Sequence, residues 1–169
     1  MSRLGRLAVG DRVVYGSHGI GRVESRRAAK AGVPESVVLA FETGLRVTLP
    51  VARAREALRT LSGPDELEDV RRALRATASP TLEPWPKRQR MIRDAVNAGT
   101  VTGLAEVVRD GLHRERKLAD GPAARQPAPV ERDLYLQARR LLVAEIAACR
   151  RIEPEAADAW IVEQISDAG

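Results

Sequence analysis

A single cysteine, Cys149, in 169 residues excludes an internal disulfide and suits a reducing cytoplasm. Aromatic residues make up only 3% of the chain, so any core must be built from Ala, Leu, Val and Ile. With 44% hydrophobic residues, the chain is too rich in aliphatics for a disordered protein. No apolar run approaches the roughly 20 residues that span a bilayer, and no signal-peptide stretch opens the sequence. A cytoplasmic protein with no membrane role is therefore expected. The two histidines, His18 and His113, lie far apart, with neither His-Glu-x-x-His spacing nor a cysteine cluster beside them. There is also no Gly-rich loop leading into Lys-Ser/Thr, and hence no P-loop. No metal, no cofactor and no catalytic centre are expected.

Two clusters still invite a chemical reading. Ser17-His18 pairs a hydroxyl with an imidazole, but adjacent residues between glycines mark a turn and leave the histidine without an orienting acid. Asp65, Glu66, Glu68 and Asp69 are concentrated at the start of a predicted helix, where acids match the positive end of the dipole. The charge is uneven along the chain. Residues 1–60 carry eleven Lys/Arg against five Asp/Glu, residues 61–129 twelve against ten, and residues 130–169 five against eight. A basic front and an acidic back imply separate surfaces for separate partners.

The first 60 residues read as strands and turns. Arg12-Val13-Val14-Tyr15 is β-branched and aromatic, and it ends at the turn Gly16-Ser17-His18-Gly19. Ile20 to Arg27 can form a second strand, with Gly21 relieving crowding or marking a bulge. Val37 to Phe41 is continuously apolar, and Leu45 to Pro50 alternates at period two, as a half-buried strand does. Ala28 to Ser36 is the longest loop. Four or five short strands in this span suggest a strongly bent small barrel of SH3 or tudor type.

Beyond Pro50 the pattern turns helical. Gly63-Pro64-Asp65-Glu66 starts a helix whose face is Leu67, Val70 and Leu74, and Ser79-Pro80 stops it. A second helix starts at Pro86 and ends at Gly99. A third opens at Thr102 or Gly103 with the stripe Leu104, Val107, Val108 and Leu112. After a connector from Gly121 to Pro129, a fourth, Val130 to Arg150, presents Leu134, Ala138, Leu142, Ile146 and Cys149. Glu145 falls inside that stripe and calls for a partner. A last helix from Pro154 buries Trp160, Ile161 and Ile165. The fold class is thus α+β: a barrel-like β domain over 1–58, followed by an all-α domain over 59–169.

The segment Glu83-Pro84-Trp85-Pro86-Lys87-Arg88-Gln89-Arg90 stands apart. Pro86 at the first helical position places Trp85 at the N-cap, where Ser, Thr, Asp or Asn are usual. The next turns supply Lys87, Arg88, Arg90 and Arg93. Free N–H groups at a helix start, joined by cations, favour phosphate, and a flat apolar side chain beside them can wedge between bases. Equally, Trp85 can pack down as a hydrophobic staple with solvated cations around it. The residues alone favour neither.

In their joint order, several segments resemble the CarD-type RNA polymerase-binding regulators along nearly the whole chain. Val9-Gly10-Asp11-Arg12-Val13-Val14-Tyr15 with His18-Gly19 is similar to that family's opening, a module that also resembles the polymerase interaction domain of transcription-repair coupling factors. Leu45 to Pro50 resembles its last strand. Ala105 to Asp110 and Ala138 to Glu145 resemble its helix motifs, and the tryptophan before a basic cluster its DNA-contacting element. Gly16 departs from a common proline, and prolines flank Trp85 on both sides. The resemblance implies a tudor-like domain docked on the polymerase β subunit. It also implies a helical domain touching promoter DNA at the upstream edge of the melted region, which stabilises the open complex. On this sequence the wedge is Trp85, with Lys87, Arg88, Arg90 and Arg93 as DNA-contacting cations. The polymerase contacts map to Arg26, Arg27, Arg46 and Thr48. A monomer without enzymatic activity is implied. The alternatives are an architectural nucleic-acid-binding protein independent of polymerase, and a remnant of a repair ATPase. The first is weakened because Tyr15 and Phe41 are the barrel's only aromatics for stacking bases, the second by the missing phosphate loop.

Overall fold

The computed structural model describes residues 7–78, 83–121 and 127–166. Four strands come first: β1 (Arg12–Val14), β2 (Ile20–Arg27), β3 (Ser36–Phe41) and β4 (Arg46–Pro50). They form one antiparallel sheet in the order β1-β2-β3-β4. Glycines make the tight connections possible. Gly16 and Gly19, with φ of 43° and 78°, bracket the 3-10 turn between β1 and β2, and Gly44, with φ of 83°, closes the turn before β4. One face buries Val13, Val23, Val37, Leu39, Phe41 and Leu49. Val38, on the other face, is also buried, which accounts for the unbroken apolar run of β3. Gly21 answers to crowding: a Cβ there would lie 2.9 Å from the Phe41 ring. The bulge falls later, between Val23 and Ser25.

His18 is exposed at the turn, with its ring beside two aromatic neighbours. Its ring centre lies 5.0 Å from that of Tyr15 and 5.9 Å from that of Phe41. After β4 the chain forms a two-turn helix that the sequence reading did not assign, α1 (Val51–Ala57), which buries Ala54. It then returns to β1, where Val14 and Arg59 exchange backbone hydrogen bonds of 2.8 and 3.1 Å. This pairing keeps the residues just past 58 with the sheet. The chain divides into units Met1–Leu61 and Ser62–Gly169.

The second unit holds α2 (Pro64–Arg75), α3 (Trp85–Ala98), α4 (Val101–Ala119), α5 (Pro129–Arg150) and α6 (Pro154–Ser166). Pro64 opens α2, and the Glu66 carboxylate accepts from Gly63 N–H at 2.9 Å. Gly99 ends α3 in the left-handed region, as expected. Helix α4 starts at Val101, earlier than Thr102 or Gly103, because the Thr100 hydroxyl caps it by accepting from Gly103 N–H at 3.3 Å. The expected stop at Ser79-Pro80 and most of the connector after Gly121 lie outside the described residues.

The helices share a core that includes Val70, Leu74, Leu104, Val108, Ala138, Leu142 and Ile146. On α5 the buried residue of the first stripe position is Tyr135, while Leu134 and Cys149 sit half-buried at the margins. Tyr135 presses against Gly111 of α4, where a Cβ would come within 2.2 Å of its ring, and burial pushes its phenol pKa up. Glu145, 2% exposed, accepts from the Ser62 hydroxyl at 2.6 Å and the Ser62 N–H at 3.2 Å. Arg109 reaches from α4 to the Ala73 carbonyl near the end of α2 at 3.0 Å. Trp160 packs against the core from one side and carries the Arg150 guanidinium 4.9 Å from its ring centre.

Candidate functional site

Two groups of residues were singled out, one on α3 and one on the sheet. Trp85 is the first residue of α3, and Pro84 takes the N-cap position, one residue earlier than the sequence suggested. The shift is physically cheap. The first-turn N–H groups have no partner within the helix, so Pro86 fits one position further in. The indole is half-buried, yet it stands outside the apolar cluster formed by the described helical residues. At the first helical position it is also not placed as a staple, which needs the residue before the cap. Its partner is Arg88, one turn on, whose guanidinium carbon lies 5.1 Å from the ring centre.

The four cations behind Trp85 do not form one surface. Arg90 and Arg93 are exposed, and their spacing puts them on the same side of α3. Lys87 is exposed and paired with Glu83 at 2.8 Å. Arg88 turns inward. Its side chain is 14% exposed, it meets Glu131 of α5 at 3.4 Å, and it donates to the Glu83 carbonyl at 3.2 Å. Glu131 also receives Arg114 of α4 at 2.6 Å. The sequence reading missed Glu131, because an acid in the first turn of a helix reads as a dipole partner.

On the sheet, Arg46 and Thr48 are both exposed and share the face opposite the core, as their pairing with Ala40 and Val38 requires. Arg46 is held by Glu24 in a forked contact with distances of 2.9 to 3.2 Å. That hydrogen bond holds the Glu24 carboxyl below the usual carboxylate range. Arg26 and Arg27 separate. Arg26 pairs with Val37 on the core face, where it bonds Glu35 and donates to the Leu7 carbonyl at 2.7 Å. Arg27 lies exposed on the opposite face, with Arg46 and Thr48. Arg12 and Arg22 were not anticipated. Registers Arg12 to Arg22, Arg22 to Ala40 and Ala40 to Arg46 set three arginines in one row across all four strands. Counting alternate residues within each predicted strand would have put them on that face, but the cross-strand register was not legible.

Among the described residues no group of three or more His, Cys, Asp or Glu could hold a metal ion, and no helix is long and apolar enough to cross a membrane. The arrangement presents an indole with exposed cations on α3 and a row of arginines on the sheet. Comparison with known families divides the chain in the same way. Residues 7–62 match the CarD-like/TRCF RID domain, and residues 69–162 match the CarD C-terminal domain. The chain belongs to the CarD family of non-catalytic, RNA polymerase-interacting transcription regulators.

Proposed function

We propose that the chain docks on the polymerase β subunit through its sheet and contacts promoter DNA at the upstream edge of the bubble through Trp85, stabilising the open complex. It acts as a monomer in the cytoplasm. Polymerase contact falls to Arg27 on β2 and to Arg46 and Thr48 on β4, whose outer edge has no strand partner among the described residues and suits strand addition. Arg26, tied to Glu35 and Leu7, supports the sheet from its other face. DNA contact falls to Trp85 with Lys87, Arg90 and Arg93, and Arg88 lies behind them.

The observation that carries this reading is the position of Trp85. A half-buried indole at a helix N-terminus, outside the apolar cluster formed by the described helical residues and followed by exposed cations, is suited to meet a base step. Unstacking a step costs a few kcal/mol, and least where pairing is already broken, so the side chain favours the opened promoter over closed duplex. Stacking contributes roughly 1–3 kcal/mol per base. Trp85→Ala should therefore shorten open-complex lifetime several-fold or more, with polymerase affinity and melting temperature near wild type. A lowered melting temperature with unchanged decay per folded molecule would instead mark Trp85 as a packing residue.

A further inference from the structure

A groove of about 330 Å³ runs between α3 and α4, with the start of α5 at one end, and Ile92, Ala95 and Val107 line it. Among the described residues, the first half of α3 therefore has little apolar support. Its buried residue is Val96, about three turns beyond Trp85. What reaches the first turn is an ion cluster. Glu131, 8% exposed at the start of α5, meets Arg114 Nε at 2.6 Å and Arg88 Nη2 at 3.4 Å. The other terminal nitrogen of Arg88 closes the turn before Trp85 on the Glu83 carbonyl. The same guanidinium lies over the indole. A planar cation attracted to a ring face restricts the orientation of that ring. One carboxylate on α5 thus fixes the side chain that, among the described residues, lies over the Trp85 ring.

We propose that Glu131 is a positioning residue for Trp85, acting through Arg88, so that the indole is oriented before DNA arrives. This rests on the reading of Trp85 as the DNA-contacting residue. A ring ordered in advance loses less conformational freedom on insertion. Arg88 then serves inside the protein, and Lys87, Arg90 and Arg93 are the cations turned outward. Arg114 meets the same Glu131 oxygen at the shorter distance, so the support does not depend on Arg88 for its own position.

The test uses the full chain labelled with fluorotryptophan. Its two tryptophans give two fluorine NMR resonances, and Trp85→Ala identifies that of Trp85. In Glu131→Gln the Trp85 resonance should shift and broaden while that of Trp160 stays in place. Open-complex lifetime should fall several-fold toward that of Trp85→Ala, with polymerase affinity unchanged. The double variant should be no worse than Trp85→Ala alone, because both changes act through one ring. Arg88→Gln, which leaves the Arg114–Glu131 pair intact, should reproduce these effects and replaces Glu131→Gln if that variant unfolds. A Trp85 resonance unmoved in both variants would overturn the positioning role, as would a fully additive loss in the double variant. If Trp85→Ala itself leaves the lifetime unchanged, the wedge reading falls, while the resonance comparison still decides whether Glu131 orients the ring.

Discussion

Arginines dominate the cationic surface of this chain, and their surroundings give them different tasks. Arg46 stays exposed but is gripped by Glu24; Arg26 is spent on Glu35 and a backbone carbonyl; Arg27 is exposed. The forked bond to Arg46 lowers the Glu24 pKa, so the pair is fully formed above the ordinary glutamate range and is lost as pH falls through the depressed value. A carboxyl titration by NMR should find Glu24 among the most acidic glutamates, and Arg46→Ala should return it to the ordinary range. Charge reversal at Arg27 should weaken polymerase binding without touching the fold, whereas reversal at Arg26 should disturb the sheet as well. The sequence showed two adjacent arginines at a strand end. It could not separate their roles, because the bulge at Val23 and Ser25 decides which of them faces the core. Trp85 stood out in the sequence for a different reason: a tryptophan between prolines at a helix start lacks the oxygen a usual N-cap supplies. The residues alone still left wedge and staple balanced.

At the scale of elements, hydrophobic periodicity and turn residues located four strands and five helices. The element that escaped them was α1. Its seven residues follow directly on β4, and Val51 continues the strand's apolar character, so the change past Pro50 was visible but a separate short helix at that point was not. Contacts between elements were less visible than the elements. Gly111 in mid-helix costs about 1 kcal/mol in propensity relative to alanine, yet the Tyr135 ring occupies the space its side chain would need. Gly111→Ala should therefore destabilise the protein despite the better helix former, by about 2 kcal/mol net of overpacking. Thermal unfolding should show a melting temperature lower by roughly 5–10 °C. The Ala105 to Asp110 motif gains a physical meaning in the same way. Ala105 and Val108 fill the core, while Arg109 secures the end of α2.

For the whole molecule, the division into a sheet unit and a helical unit followed from the change of periodicity past Pro50, but the point of separation needed the structure. Leu58 belongs to the sheet's core, and Arg59 pairs with Val14, so the first unit is complete only at Leu61. A fragment ending at residue 61 should fold and bind polymerase, and one ending at residue 55 should not. Circular dichroism melting and a binding titration on the two fragments check this. The same pairing has a consequence for assembly. With Arg59 on the outer side of β1, the four-stranded sheet offers a free border along β4. If two copies meet without polymerase, they can join β4 to β4 about a two-fold axis, and that contact closes on itself. The geometry thus permits a reversible dimer at high concentration, while the Arg59 bridge, which occupies part of the opposite border, disfavours propagation into a fibre.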